Sequence, residues 1–133
     1  MTICNSVASY LTSLTATNPI CSEFGSTFTF GTNLFMYLEP DSPSSCVTII
    51  PYGGAPVDSS GYKYESYVQM RIRSTSRQTS MNVGQALIDN LHNVEGSNYK
   101  IFAKQSTPFI FDVQDNGALV VSVSDYKIIH IRV

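Results

Sequence analysis

The feature that most restricts the fold is a long alternating segment at residues 62–74. Apolar side chains alternate there with long polar ones: Val68, Gln69, Met70, Arg71, Ile72 and Arg73. This period of two is typical of a β-strand with one apolar face and one polar, basic face. Such a strand would extend about 40 Å, roughly twice the usual length. We therefore predict a sheet built around this strand, whose excess length bends, is covered or projects toward another subunit.

Two amphipathic helices are predicted, at residues 2–16 and 76–93. The first ends at Asn18-Pro19, because the residue before a proline disfavours helical backbone. In the second helix, Gly84 lies within the apolar stripe, where its missing side chain allows a close approach to the sheet.

The remaining segments are interpreted as strands, turns and loops. Further strands are predicted at residues 33–39, 46–52, 99–104, 109–113 and 118–133, and a loop at 19–32. The first of these strands is apolar on both faces, which predicts a place inside the sheet. Asp115-Asn116-Gly117 is the strongest hairpin signal in the chain.

The last predicted strand has an apolar and a polar face. Its apolar face carries Leu119, Val121, Val123, Ile129, Ile131 and Val133, and its polar face carries Ser122, Ser124, His130 and Arg132. Ser124-Asp125 is interpreted as a bulge or bend.

The element order α-β-β-β-α-β-β-β predicts an α+β fold. Consecutive strands with short turns favour a mainly antiparallel sheet, with two helices packed on one face and one long β-hairpin or loop. A chain of 133 residues has the size of a single domain, which we place at residues 1–133.

Composition excludes several classes of partner. The net charge is −2 with no basic block, so a nucleic-acid-binding surface is not predicted. No apolar run approaches the roughly 18 residues of a membrane span, and the N-terminus does not resemble a signal peptide. Cys4, Cys21 and Cys46 lack metal-ligand spacing and are expected to be reduced, mostly buried thiols.

The titratable residues show no catalytic pattern. His92 and His130 have no Cys, Asp or Glu at metal or triad spacing. Asp115, three residues after Asp112, is explained by the turn that follows it. We therefore predict that the chain is not an enzyme and binds no metal and no cofactor.

Two features indicate contact with other subunits. One is the loop 52–62, which is rich in glycine and serine and is expected to be mobile in the free protein and ordered in an assembly. The other is an arginine cluster, interpreted either as a solvated face or as an ion-pair seam between subunits. The residues predicted for a subunit interface are Tyr52, Gly53, Gly54, Pro56, Arg71, Arg73 and Arg77.

Several segments together resemble a known group of proteins. They are residues 31–40 (GTNLFMYLEP), 46–56 (CVTIIPYGGAP), 67–74 (YVQMRIRS), 86–92 (ALIDNLH) and 107–117 (TPFIFDVQDNG). In order and in type of element they resemble phage tail terminator and minor capsid proteins of the tail-to-head joining region, or neck. The chain departs from that group where the second helix begins, because Ser74-Thr75-Ser76-Arg77 stands in place of a tyrosine and alanines.

The resemblance implies a structural virion protein of a tailed phage. Its implied role is a tail terminator subunit in a ring, commonly a hexamer, that caps the tail tube and docks the head connector. The implied partners are further copies of the chain, the tail tube protein and a head-completion or connector protein. DNA would only pass through the ring lumen, and no membrane is involved. The protein would be assembled in the host cytoplasm and reside in the tail or neck of the virion.

Two alternatives stay open from the sequence. One is another neck or head-completion protein, and the other is a stand-alone non-viral binding module or small enzyme.

Overall fold

A computed structural model describes residues 3–56 and 63–131. The described residues form an α+β fold, as predicted. Its elements are α1 (Ile3–Thr12), α2 (Pro19–Phe24), β1 (Leu34–Met36), β2 (Cys46–Gly54), β3 (Lys63–Ser74), α3 (Arg77–Leu91), β4 (Tyr99–Ala103), β5 (Phe109–Gln114), a 3₁₀ turn (Asp115–Gly117) and β6 (Leu119–Ile131). None of the helices in these ranges is long and apolar enough to cross a membrane.

The six strands form one sheet in which β3 and β6 are the central pair. The order is β1-β2-β3-β6-β4, and β5 also pairs with β6, alongside its N-terminal half. The pair β1–β2 is parallel and the other pairs are antiparallel. β3 pairs with β6 from Lys63↔Ile131 to Ser74↔Val120, so the predicted excess length of β3 is covered by an equally long neighbour.

The prediction that residues 33–39 form an interior strand is wrong. β1 has three residues and lies at the edge of the sheet. Leu34 is buried, but Tyr37 is 53% exposed and Leu38 is 80% exposed. Tyr37 has a positive φ of 73°, which ends the strand. Because β2 runs parallel to β1, the chain must then cross back over the sheet before β2 begins.

The predicted loop at 19–32 contains a helix instead. Asn18 is the N-cap of α2, with its side-chain oxygen accepting a hydrogen bond from the Ile20 amide at 3.0 Å. Pro19 occupies the first helical turn, where its fixed φ is favourable. Gly25 ends the helix with φ 94°. Asn18-Pro19 therefore begins a second helix, whereas α1 ends earlier than predicted, at Thr12.

The helices pack on one face of the sheet, which we call the helix face. Val68, Met70 and Ile72 lie on this face, as the alternation predicted, and each is at most 1% exposed. They share a cluster with apolar residues of the helices: Val7, Leu11, Ile20, Val83, Leu87 and Leu91. Gly84 allows the expected close approach, since a Cβ there would lie 2.9 Å from Cβ of Pro108 and 3.5 Å from Oγ of Ser122.

The division of β6 into two alternating sets of side chains is confirmed, and it is the polar set that faces the helices. The buried Ser122 and Ser124 pair with Ile72 and Met70, so the serines lie on the helix face. Val121, on the other face, is also fully buried. The register from β3 to β6 is continuous, and Ser124-Asp125 forms no bulge. Both faces at this end of β6 are covered, so the more apolar set of side chains does not mark the helix side.

The three cysteines are buried, as expected, and Cys4, Cys21 and Cys46 form no disulfide. Burial raises the pKa of all three thiols, which lowers the fraction of reactive thiolate at neutral pH.

We predict that the native protein reacts with a thiol reagent such as DTNB far more slowly than the unfolded chain. Three thiols should titrate in denaturant, and the native rate should follow the rate of transient opening. If any one thiol of the native protein reacted rapidly, that result would contradict its burial. Single Cys→Ser variants would identify the reactive cysteine.

Candidate assembly surface

The sheet face opposite the helices, called the outer face, carries most of the predicted interface residues. It is crossed by residues 37–45, which join β1 to β2 and which we call the strap. Two arginines of β3 hold the strap on this face. Lysine and aromatic side chains cover the part of the outer face nearer the C-terminal end of β2.

The first strap contact is a largely buried ion pair. Nη2 of Arg71 donates to Oε2 of Glu39 at 3.1 Å, and the two side chains are 16% and 13% exposed. The same carboxylate oxygen accepts a hydrogen bond from Nε2 of Gln114, at 3.4 Å, at the end of β5. The guanidinium of Arg71 also lies 4.7 Å from the ring centre of Phe111. Glu39 and Arg71 therefore tie the strap, β3 and β5 together.

The second strap contact involves the next arginine along the same face. Nη2 of Arg73 donates to the carbonyl oxygen of Pro43 at 2.7 Å, and Arg73 is only 3% exposed. Within the described residues, Nε of Arg71, Nε of Arg73 and Oε1 of Glu39 are buried without a hydrogen-bond partner. The charged layer beneath the strap is thus only partly satisfied, which makes its remaining bonds costly to lose.

These contacts correct the interpretation of Arg71 and Arg73 as exposed charges. The alternation placed them correctly on the face opposite Val68, but that face is covered by the strap and by β5. Both residues also lie toward the C-terminal end of β3, whereas the β2–β3 connection lies at its other end.

A stack of aromatic and lysine side chains covers the outer face beside the end of β2. The rings of Tyr52 and Tyr67 stack with centres 5.8 Å apart. Nζ of Lys104 lies 4.3 Å from the ring centre of Tyr67 and donates to the Tyr52 hydroxyl at 3.3 Å. This hydrogen bond raises the pKa of Lys104, and a hydrogen bond to Glu65 raises the pKa of Tyr67. The lysine is therefore held as a cation over the rings.

The stack continues toward β4. Lys100 and Lys127 lie 5.5 and 5.3 Å from the ring centre of Phe102, and Lys127 pairs with Glu65 at 3.6 Å. Tyr52 is 43% exposed. The surface is thus aromatic, cationic and open to solvent, and its aromatic residues are of a kind enriched in protein interfaces.

The end of β2 has an irregular backbone. The register with β3 shifts between Pro51 and Gly54, which marks a bulge. Gly53 has φ 102°, and a Cβ at Gly54 would overlap the carbonyl oxygen of Glu65. Both glycines are required by the backbone itself. They lie in a strand, whereas the sequence indicated a loop starting at Tyr52; residues 57–62 of that loop lie outside the described residues.

Comparison with known families decides the class of protein. The family model described as bacteriophage tail terminator protein matches residues 23–129. The chain belongs to the bacteriophage tail terminator family. No curated protein matches it. The predicted family is confirmed, and with it a structural role in the phage tail and a place in the virion tail.

The seven predicted interface residues fall into three places. Tyr52, Gly53, Gly54 and Pro56 lie together at the exposed end of β2. Arg71 and Arg73 lie together under the strap. Arg77 is exposed at the first residue of α3, which begins beyond the C-terminal end of β3, away from Tyr52.

Sequence reasoning missed several residues of the outer face. Glu39 was predicted to end an interior strand, and no local sequence pattern indicates its ion pair with Arg71. Lys104 and Tyr67 are brought together only by the pairing of β4 and β3 with β6. Phe109 and Phe111 were recognised as strand residues, but not as 46% and 52% exposed.

The described residues also bear on ligand sites. Among residues 3–56 and 63–131, no group of three or more His, Cys, Asp or Glu residues could hold a metal ion. His92 accepts a hydrogen bond from the Ala103 amide at 3.0 Å through Nδ1, and His130 lies 2.8 Å from the Ser66 hydroxyl. Both histidines thus have structural contacts.

Proposed function

We propose that the chain is the subunit of a ring, most simply a hexamer, that caps the finished tail tube and docks the head connector. Membership of the tail terminator family supports the tail location. The observation that carries the ring itself is the exposed end of β2, where a bulged strand presents Tyr52 on a preformed stack with Tyr67 and Lys104. A rigid exposed aromatic residue loses little conformational entropy on binding, which suits it to anchor a repeated contact.

In this proposal, the neighbouring subunit contacts Tyr52, Gly53, Gly54 and Pro56 from one side and Arg77 from the other. A ring needs two different surfaces on each subunit, since each copy touches two neighbours in head-to-tail order. Arg71 and Arg73 serve the same interface from beneath, by holding the strap and β5 in place.

The ring's other partners follow from the same role. One rim would bind the tail tube protein and the other a head-completion or connector protein, with DNA passing through the lumen. Assembly would take place in the host cytoplasm, and the protein would not act as an enzyme. Many equivalent weak contacts become strong when they engage together, so binding to the tube would favour closure of the ring.

Electron microscopy of the purified protein, alone and with tail tubes, tests this function. We expect rings of uniform diameter on tube ends. Tyr52→Ala should abolish rings while leaving thermal unfolding nearly unchanged, because the side chain is 43% exposed. Tyr52→Phe keeps the aromatic side chain and loses only the hydrogen bond from Lys104, so this variant should still assemble into rings.

Glu23→Ala is a matched control for surface truncation, because Glu23 is exposed on α2 away from the outer face. Tube ends that stay bare in the presence of wild-type protein would refute the terminator role. Rings that bind head connectors but never tubes would indicate a head-completion protein.

A further inference from the structure

The strap covers part of the outer face without contributing to the apolar core. None of residues 37–45 is buried, and its two large apolar side chains, Tyr37 and Leu38, are 53% and 80% exposed. From residue 39 to residue 45, the described chain shows no hydrogen bond between backbone groups. Segments with few buried apolar contacts and few protected backbone hydrogen bonds open at a lower free energy than the rest of a protein.

The described contacts that hold the strap are polar. They are the ion pair of Glu39 with Arg71, the hydrogen bond from Gln114 to Glu39, and the hydrogen bond from Arg73 to the carbonyl oxygen of Pro43. Among the described residues, one oxygen of Glu39 and the Nε atoms of both arginines stay buried without a partner while the strap is closed. Opening returns these three atoms to water, which offsets part of the cost of breaking the polar contacts.

Cys46 lies beneath the strap, apart from the other two cysteines. It is the first residue of β2 and lies opposite Arg73, so its side chain is on the outer face. Cys46 is 1% exposed and does not belong to the apolar cluster of the helix face, whereas Cys4 and Cys21 do. Release of the strap therefore uncovers Cys46 and leaves Cys4 and Cys21 in the core.

We propose that the strap is a lid that opens while the subunit remains folded. The ladder between β2 and β3 lies beneath the strap and the helices pack on the opposite face, so neither has to separate when the strap lifts. The subunit thus has a closed form, in which Arg71 and Arg73 are covered, and an open form that exposes both guanidinium groups on the outer face. The lid belongs to the single subunit and does not depend on the proposed ring.

Timed alkylation of the native protein tests the lid, because a buried thiol reacts when it is uncovered. N-ethylmaleimide is the probe, and mass spectrometry of the labelled peptides gives a rate for each cysteine, divided by its rate in the unfolded chain. We expect Cys46 to react at least about tenfold faster than Cys4 and Cys21, although all three react more slowly than in the unfolded chain. Low concentrations of urea should accelerate Cys4 and Cys21 steeply and Cys46 only slightly, because this dependence scales with the surface that opening exposes.

A core variant separates the lid from unfolding of the whole subunit. Ile128 is fully buried in the cluster of the helix face. Ile128→Val should accelerate Cys4 and Cys21 by about twofold to tenfold, the usual destabilisation for this truncation, and should leave the rate of Cys46 unchanged.

A strap variant tests whether the strap is what covers the thiol. Glu39→Gln keeps the shape of the side chain and removes the charge that pairs with Arg71, so it should accelerate Cys46 by about tenfold or more. Glu95→Gln is the matched control, because its exposed ion pair with Lys100 lies at the far side of the sheet. This control should leave the rate of Cys46 unchanged.

Two results would overturn the lid. If all three thiols accelerate together in urea and in Ile128→Val, the strap opens only when the whole subunit unfolds. If Glu39→Gln leaves the rate of Cys46 unchanged, the strap does not control access to this thiol. Rings on tube ends are a separate measurement, so failure of the lid and failure of the terminator role are distinguishable.

Discussion

Glu39→Ala is expected to lower the free energy of unfolding by about 3–5 kcal/mol, the usual cost of removing one partner from a buried ion pair. The truncation leaves the Arg71 guanidinium beneath the strap without its carboxylate, with a side chain only 16% exposed. It also removes the acceptor of the Gln114 amide, which joins the strap to β5. Urea unfolding followed by circular dichroism measures the loss.

The chain provides a matched control in Glu95. Its ion pair with Lys100 spans 3.4 Å, close to the Glu39–Arg71 distance, but the two side chains are 68% and 40% exposed. Glu95→Ala should therefore change stability by no more than about 0–1 kcal/mol. Equal urea midpoints for the two variants would show that burial of the Glu39–Arg71 pair has no energetic effect.

The double replacement Glu39→Leu with Arg71→Met tests the cause of the loss. If the cost arises from an unpaired buried charge, removing both charges should recover most of the stability. If it arises from lost packing under the strap, the double variant should be no better than the single one.

The burial of Arg71 and Arg73 determines which variants can test assembly. If the two arginines were exposed charges, they could be truncated without effect on the folded subunit. Buried under the strap, they contribute to folding, so Arg71→Ala would impair assembly through instability alone. Tyr52→Ala and Arg77→Ala probe exposed positions and are the informative interface variants.

The elements that local pattern determines were predictable from the sequence. The alternation in β3 follows from its period of two, and its inward set of Val68, Met70 and Ile72 is confirmed. Asn116 and Gly117 have φ of 55° and 91°, the left-handed backbone that the hairpin signal requires. Helix α3 also follows its pattern, with the Ser76 hydroxyl accepting from the Thr79 amide at 3.3 Å.

The errors on segment 33–39 and on Arg71 and Arg73 share one physical cause, which is that both faces of the sheet are covered near Arg71. Apolar content marks the inward side only where the other side meets water. Segment 33–39 is largely apolar, but its residues lie in different places: Leu34 is in the core, whereas Tyr37 and Leu38 are exposed on the strap. The strap could not be foreseen, since the ion pair that holds it joins residues 32 positions apart.

The candidate surface was predictable only in part. Gly53 and Gly54 pointed to an unusual backbone beside Tyr52, and the structure shows the bulge that requires them. The residues that complete the stack come from β3 and from the end of β4, which meet β2 only through the order of the sheet.

Ser80→Ala is expected to destabilise the subunit by about 2–3 kcal/mol, because it removes the centre of a buried hydrogen-bond network. The Ser80 hydroxyl lies 2.7 Å from the carbonyl oxygen of Ile72 and 2.8 Å from the Ser122 hydroxyl. It also accepts a hydrogen bond from the Ser122 amide at 3.1 Å. This network joins α3 to both central strands, and Ser80 and Ser122 are fully buried.

Ser124→Ala is the matched control for this prediction. Ser124 lies two residues from Ser122 on the same face of β6 and is equally buried, but its hydroxyl has no hydrogen-bond partner in the part of the chain that the structure describes. Removing it should leave stability unchanged or raise it slightly, because the desolvation cost of an unpaired polar group disappears. If the serines instead faced solvent, both replacements would change stability by less than about 0.5 kcal/mol. A large loss for Ser80→Ala with none for Ser124→Ala would place the serine face of β6 against α3 and show that hydrogen bonding, in addition to apolar packing, holds the helix on the sheet.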